Sequence, residues 1–292
     1  MALRATTITM RNLERWLQEH TVDDILRAHN QAQAVYTVKK STKLADCLNT
    51  FRQHRIAHLM VRDCATLELR WLRLEDLIRH VHEEGLLDDK VEKSNNLMEA
   101  CCVTPSDSIW NVIKNWPHND SDMPPLAVVD TGANVVGVVT TTDVIHYLYL
   151  YGCHLSYIMD KPTAIIPCEP LVNLFHREER AEKCLCALLS PDSSGVIGIV
   201  DRKGILVGDV TIGAFVNTEE DLDLPILHYL RTINHESPLL QINMQHCYGD
   251  TLKRFLIKKV HHAWKLNEYG RPIGVLHASN LIKFLAQQVN IY

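Results

Sequence analysis

The stretch Val135-Val136-Gly137-Val138-Val139-Thr140-Thr141-Thr142-Asp143-Val144-Ile145 decides the fold of this 292-residue chain. Its apolar, β-branched opening predicts a short buried strand. Thr140 and Asp143 bracket a turn into a segment with apolar residues at helical spacing, Val144 and Leu148, and Asp143 is the candidate N-cap. The stretch therefore predicts a strand, a turn and a helix.

Three residues around this turn have chemistry that suits a ligand. Gly137 lets another group approach the backbone, and the amide groups of a helix N-terminus favour an anion such as phosphate beside Thr140. Asp143 only accepts hydrogen bonds, which suits a pair of ribose hydroxyls and does not suit phosphate. The other interpretation is that Thr140 and Asp143 cap the helix, as these residue types commonly do. The stretch alone leaves both interpretations open.

The same pattern occurs four times along the chain. The copies lie at 69–76, 135–143, 207–214 and 273–280, and their last residues are Asp76, Asp143, Ala214 and Asn280. The spacings between successive last residues are 67, 71 and 66 positions. Such near-constant spacing predicts a chain built from four repeats.

Each copy is preceded by a second predicted strand, at 58–63, 126–130, 196–201 and 263–267. The turns at 130–132, 201–204 and 267–270 have the Asp, Asn and Gly residues of hairpin loops. A helical pattern precedes these strands, so every repeat is predicted to run strand, helix, strand, strand, helix. Leu13, Trp16 and Leu17 form an apolar stripe, which favours a leading helix over a transit peptide.

Composition excludes several classes of partner. The apolar fraction is 46% and the formal charge is −5 without a block of like charge, so nothing calls for nucleic acid or a membrane surface as partner. No apolar run approaches the roughly 20 residues that cross a bilayer. Nine scattered cysteines indicate a reducing compartment, the cytoplasm and also the nucleus.

The four repeats resemble cystathionine β-synthase (CBS) domains, and four in tandem resemble the regulatory γ-subunit of AMP-activated protein kinase and its yeast and plant counterparts. The stretch Lys259-Val260-His261-His262, followed by Gly270-Arg271-Pro272-Ile273-Gly274-Val275, resembles the fourth unit of the γ-subunits. The resemblance implies an α/β (α+β) fold with a leading extension at 1–24 and CBS units at 25–85, 95–152, 153–219 and 224–288. It also implies that units one and two pair as one Bateman module, that three and four pair as another, and that the modules form a disc.

The resemblance further implies an adenine nucleotide, AMP, ADP or ATP, as ligand and protein kinase catalytic or scaffold subunits as partners. The nucleotide-binding residues carried over are Thr140, Asp143, Gly137, Arg73, Asp76, His261, His262, Thr211 and His277. Arg73 stands where a threonine is expected, so it either grips phosphate or fills the pocket in an ion pair with Glu75 or Asp76. Ala214 and Asn280 replace the aspartate in units three and four, so a full complement of four bound nucleotides is not expected.

Three other functions compete with nucleotide sensing. A metal site from His261, His262 and His277, or from Cys184, Cys186, Cys153 and His154, has poor spacing, and none is predicted. Catalytic residues are not predicted either, because no nucleophile stands beside an oriented base and there is no phosphate-binding loop. A degenerate CBS scaffold that mediates assembly without nucleotide remains the alternative function, since three of the four signatures are altered.

Overall fold

The computed structural model describes residues 12–28, 35–63, 68–85, 87–94, 97–117, 123–153, 155–169, 173–216, 221–234, 238–243 and 245–290. Arg4 and Arg11 of the leading segment, together with Cys64 and His154, lie outside the described residues. The leading helix α1 spans 12–19 and is followed by α2, Val22–Ala28. Leu13, Trp16 and Leu17 are buried, which confirms the apolar stripe predicted for α1.

Repeat one follows the predicted order of elements and adds a fourth strand. It comprises β1 (Thr37–Lys39), α3 (Leu44–His54), β2 (His58–Arg62), β3 (Leu69–Arg73), α4 (Leu74–Glu84), a 3-10 turn (Val91–Lys93) and β4 (Met98–Glu99). The helix α4 ends at Gly85, which adopts the left-handed conformation (φ 70°) and donates its amide to Val81.

Repeat two contains the stretch that opened the sequence analysis. It comprises β5 (Cys102–Val103), α5 (Ile109–Asn115), β6 (Leu126–Val129), β7 (Val135–Val139) and α6 (Thr141–Tyr151), after which come α7 (Ser156–Met159) and a 3-10 turn (Thr163–Ile165). The predicted strand, turn and helix are therefore all present.

Repeats three and four complete the series, and repeat three departs from the pattern. Repeat three comprises β8 (Leu174–His176), α8 (Ala181–Leu188), β9 (Val196–Val200), β10 (Leu206–Thr211) and a 3-10 turn (Ile212–Phe215) where the other repeats have a full helix. Then come α9 (Ile226–Thr232), β11 (Gln241–Ile242), α10 (Tyr248–Lys258), β12 (His262–Leu266), β13 (Pro272–His277) and α11 (Ala278–Asn290).

The four sheets share one topology. In each, a first strand lies parallel to a second, which forms an antiparallel hairpin with a third. Three hairpin turns are closed in the same way: Asp130, Asp201 and Asn267 each accept backbone amides two and four residues further on. The side chain thus replaces backbone partners within the turn, which confirms the predicted hairpin chemistry.

The chain divides into two compact units, each built from two repeats. The 2–4 unit (Met1–Gln33, Cys101–Leu171, Pro238–Tyr292) contains repeats two and four, and α6 packs there against α10 and α11. The 1–3 unit (Ala34–Ala100, Val172–Ser237) contains repeats one and three. The pairing of repeats is confirmed, and the helix faces of alternate repeats share an apolar core, repeat two with four and repeat one with three.

Each unit has its own apolar core. In the 2–4 unit the core includes Ile109, Val144, Leu148, Leu252 and Leu281. In the 1–3 unit it includes Leu44, Leu77, Leu185, Ile197 and Val210. Among the described residues, no helix is both long enough and apolar enough to span a membrane.

The signature glycines differ in how closely other groups approach them, which gives a matched test. A Cβ at Gly274 would lie 2.6 Å from Cys168 Sγ and 3.2 Å from the carbonyl oxygen of Glu169, whereas at Gly208 its nearest neighbours would be 3.7 Å away. We therefore expect Gly274→Ala to destabilise the protein by about 1–3 kcal/mol through overpacking, and Gly208→Ala to be close to neutral. Chemical denaturation of both variants measures this. Equal losses of stability would contradict the close approach at Gly274.

Burial divides the cysteines into unreactive and reactive groups. Desolvation raises the pKa of the Cys47 thiol to about 12 and that of Cys184 to about 12, and both side chains are buried. Because the thiolate is the reactive form, we expect iodoacetamide at pH 8 to leave these two unlabelled in the native protein and to label exposed Cys102 and Cys186. Mass spectrometry of peptides from the labelled protein shows which cysteines have reacted. Rapid labelling of Cys47 would show that α3 does not pack as described.

Candidate functional site

The start of α6 is fixed by a reciprocal pair of hydrogen bonds. Thr140 is the N-cap, and its hydroxyl accepts the Asp143 amide at 3.3 Å. Asp143 Oδ2 in turn accepts the Thr140 amide at 2.7 Å and the Thr140 hydroxyl at 2.6 Å. This is a capping box, so Asp143 occupies the third helical position and its assignment as the N-cap was wrong. Asp143 is only 3% exposed, which holds its carboxylate firmly at the helix start.

The space above Gly137 is filled by the protein itself. A Cβ added there would lie 3.1 Å from a methyl carbon of Leu26, on α2. The glycine therefore does allow a close approach, as its residue type predicts, and the approaching group is an apolar side chain. The contact joins the leading segment to the hairpin of repeat two.

His261 lies between the first turns of two helices. Its Nδ1 is 3.0 Å from the hydroxyl of Thr142 in the first turn of α6, and its carbonyl accepts the amide of Ala278, the first residue of α11, at 2.8 Å. The helices α6 and α11 also pack against each other. The exposed imidazole of His261 thus lies at the N-terminal turn of α6, and the backbone carbonyl of the same residue bonds the N-terminus of α11; the partial charges at both helix starts are positive.

His262 and His277 form a second, buried part of the same region. They are opposite each other in the β12–β13 pair, with ring centroids 6.2 Å apart. His262 begins β12 and is 8% exposed, whereas His261 precedes the strand and is exposed, so the adjacent side chains lie in different environments. His277 Nε2 is 3.5 Å from a carboxylate oxygen of Glu169, whose backbone bridges Val275 on β13. A carboxylate therefore stands next to this pair of rings.

In repeat one the carboxylate of the signature aspartate, Asp76, forms an ion pair with Arg73. The guanidinium binds both oxygens of Asp76, with Nε–Oδ2 at 2.7 Å and Nη2–Oδ1 at 2.8 Å. Asp76 is 2% exposed, so its carboxylate is committed to this ion pair. Of the two interpretations of Arg73, the structure has the ion pair with Asp76.

Repeats three and four have lost different parts of the signature. Thr211 precedes the 3-10 turn and makes no capping hydrogen bond with its side chain, and Ala214 is buried where the carboxylate would stand. In repeat four the Asn280 amide oxygen accepts the His277 backbone amide at 2.7 Å, which reproduces one bond of the capping box without its charge. Repeat three, where Ala214 offers no polar group, thus lacks the full helix. Repeat four, where Asn280 replaces the aspartate, keeps it.

The predicted site residues fall into two groups. The 2–4 unit holds Thr140, Asp143, Gly137, His261, His262 and His277, whereas Arg73, Asp76 and Thr211 belong to the 1–3 unit. Sequence reasoning missed Thr142, although it stands inside the signature, and Glu169, which stands outside all four signatures. Thr142 could have been found from its place in the first helical turn. For Glu169 no sequence signal was available.

The repeated hairpin followed by a helix start is the architecture of the CBS-domain fold, and the solved structures similar to this chain are CBS-domain proteins. One is a Methanocaldococcus jannaschii protein described as a proposed archaeal homologue of g-AMPK, with a TM-score of 0.68 and 14% identity over 87% of this chain and 97% of that one. Another is an uncharacterized conserved protein from Pyrococcus horikoshii, with a TM-score of 0.56 and 14% identity over 86% of this chain and 96% of that one.

At 14% sequence identity, the likeness to these two structures establishes the fold and does not identify a ligand. No family model matches the sequence, and no curated protein matches it. Both solved structures are covered almost from end to end, so the likeness in fold extends over nearly all of each. The fold is therefore that of a tandem CBS-domain protein.

Proposed function

We propose that the protein is a regulatory subunit that binds an adenine nucleotide chiefly at repeat two and modulates a partner protein, a protein kinase complex. The observation that carries the proposal is the convergence of the α6 and α11 N-termini on His261. Two helix N-termini and an imidazole offer amide donors and positive charge to a phosphate group. The description of one similar structure as a proposed g-AMPK homologue supports the kinase partner.

Asp143 supplies the second half of the recognition. Its Oδ2 accepts the Thr140 amide and hydroxyl in the capping box, which fixes the orientation of the carboxylate. A fixed carboxylate beside a phosphate-favouring helix start suits a nucleoside monophosphate, which presents hydroxyls and an anion at fixed separation. Repeat one does not offer this pair, because Arg73 holds its carboxylate.

A ligand-induced melting panel tests the proposal. We expect AMP, ADP or ATP at about 1 mM to raise the melting temperature, because a ligand that binds only the native state stabilises it by mass action. Adenosine and inorganic phosphate alone serve as controls, and each is expected to give a smaller shift, since each meets only half of the site. No shift with any of the three nucleotides would overturn the proposal.

Nucleotide affinity is expected to fall as pH rises from about 6 to about 8, because an ordinary histidine loses its positive charge in this interval. The sign follows from charge: the protonated ring attracts phosphate and the neutral ring does not. The phosphate group also titrates near pH 6, so the comparison is made between the parent and His261→Gln. Calorimetric titration at several pH values should show a steeper loss of affinity in the parent. Parallel curves would show that His261 does not contact phosphate.

The degenerate scaffold remains a second candidate, and specific contacts favour it. Arg73 already binds the Asp76 carboxylate, Ala214 has no polar group, and the Asn280 side chain already accepts the His277 amide. If repeat two is likewise only a capped helix, the four repeats serve assembly alone. The melting panel separates the two functions, since a scaffold gives no nucleotide-dependent shift.

A further inference from the structure

A cluster of metal-ligand side chains lies at the C-terminal end of α4, and none of its residues is among those assigned to nucleotide. His80 and Glu84 stand four residues apart on one face of the helix, and Asp89 follows in the next turn of the chain. One ligand atom from each residue lies within 4.8 Å of one ligand atom of each of the others. All three belong to the 1–3 unit.

The separation of His80 and Asp89 suits two ligands of one ion better than a hydrogen bond. His80 Nε2 is 3.5 Å from Asp89 Oδ2, and this buried ring nitrogen has no hydrogen-bond partner. Ligands of a tetrahedral zinc ion with bonds of about 2.0–2.1 Å are about 3.3 Å apart. The two side chains are also well sheltered, at 12% and 14% exposed, so their positions are set by packing.

Glu84 and the helix end add negative charge to the same place. Glu84 Oε2 is 3.6 Å from the other ring nitrogen of His80, and its side chain is 56% exposed and able to turn toward an ion. The last carbonyl groups of α4 give this end of the helix partial negative charge, which favours a cation. Lys93 binds Asp89 Oδ1 at 2.6 Å, so the carboxylate is oriented with Oδ2 toward His80.

We propose that His80, Glu84 and Asp89 bind a divalent transition-metal ion, with Zn²⁺ the best match to one imidazole and two carboxylates. A water molecule completes the tetrahedron. The ion would tie the end of α4 to the turn at Asp89, whose carbonyl accepts the amide of Leu44 at the start of α3. Metal binding would therefore stabilise repeat one by linking its two helices.

The test is a titration of the chelator-treated full chain with Zn²⁺ and, for its visible spectrum, with Co²⁺. We expect one ion per chain, a Co²⁺ spectrum of tetrahedral nitrogen and oxygen ligation, and a higher melting temperature with Zn²⁺. His80→Asn and Asp89→Asn should weaken binding by at least about tenfold. Glu84→Gln changes an exposed carboxylate, so the variant should fold normally and lose most of the zinc-dependent shift.

The matched controls lie on the same helix and on its neighbour. His82 is exposed, and its Nε2 is 3.8 Å from the thiol of Cys186, so this pair is the competing metal site. His82→Asn and Cys186→Ser should bind Zn²⁺ like the parent. The proposal is overturned if no ion binds, if the Co²⁺ spectrum shows thiolate ligation, or if only the control variants lose affinity.

Discussion

Asp143→Ala is expected to weaken adenine-nucleotide binding by roughly 100-fold or more, the largest effect of any single change on binding. Charge-assisted hydrogen bonds contribute about 1.5–3 kcal/mol each, and one carboxylate holding two ribose hydroxyls makes two of them. The same change removes the acceptor for the Thr140 amide and hydroxyl, so a loss of about 1 kcal/mol in stability is expected as well. Calorimetric titration beside a thermal melt measures the two effects separately.

Two matched variants separate ligand binding from capping at this position. Asp143→Asn keeps an acceptor for the Thr140 amide but has no charge, so it should retain most of the stability and lose most of the affinity. Asn280→Ala removes the corresponding cap of repeat four and should change binding little. If Asp143→Ala binds AMP like the parent and only melts earlier, Asp143 is a cap and the scaffold function stands.

Arg73→Ala is expected to destabilise the protein by about 2–3 kcal/mol without weakening nucleotide binding. The change leaves the Asp76 carboxylate, which is 2% exposed, without the two guanidinium bonds that now satisfy it. Because the guanidinium is already committed to this ion pair, it is not expected to contact phosphate. Urea denaturation gives the loss of stability, and a nucleotide titration gives the affinity.

Arg70→Ala is the control for Arg73→Ala. Arg70 pairs with Glu68 at 3.2 Å, and both side chains are largely exposed, so its loss should cost less than about 0.5 kcal/mol. The double change Arg73→Leu with Asp76→Leu should recover part of the stability, because no buried charge is left alone. A clear fall in nucleotide affinity on Arg73→Ala would instead show that the ion pair opens to bind phosphate.

The local structure was predictable from sequence where it depends on neighbouring residues. Alternating apolar runs determine the strands through short-range sterics, and the Asp or Asn at each hairpin turn determines the turns through local hydrogen bonds. The near-constant repeat spacing allowed these elements to be located in the sequence. The start of α6 was predicted to within a few residues. The N-cap is Thr140 and not Asp143, because the two residues exchange hydrogen bonds in a capping box.

The pairing of repeats was not predictable from local patterns. Every repeat has an apolar helix face, and periodicity does not say which other face covers it, so the shared cores of repeats two and four and of repeats one and three could not be foreseen. For the same reason the contact between Thr142 and His261, 119 positions apart, could not be foreseen. The candidate metal cluster was also missed, because Asp89 joins His80 and Glu84 only through the turn after α4.

The most direct test of the proposed function is an equilibrium titration of the purified full chain with AMP, run in parallel with Asp143→Asn. We expect saturable binding with one principal site in the parent and a loss of affinity of roughly 100-fold in the variant. No measurable binding in the parent, or equal affinity in both proteins, would contradict it.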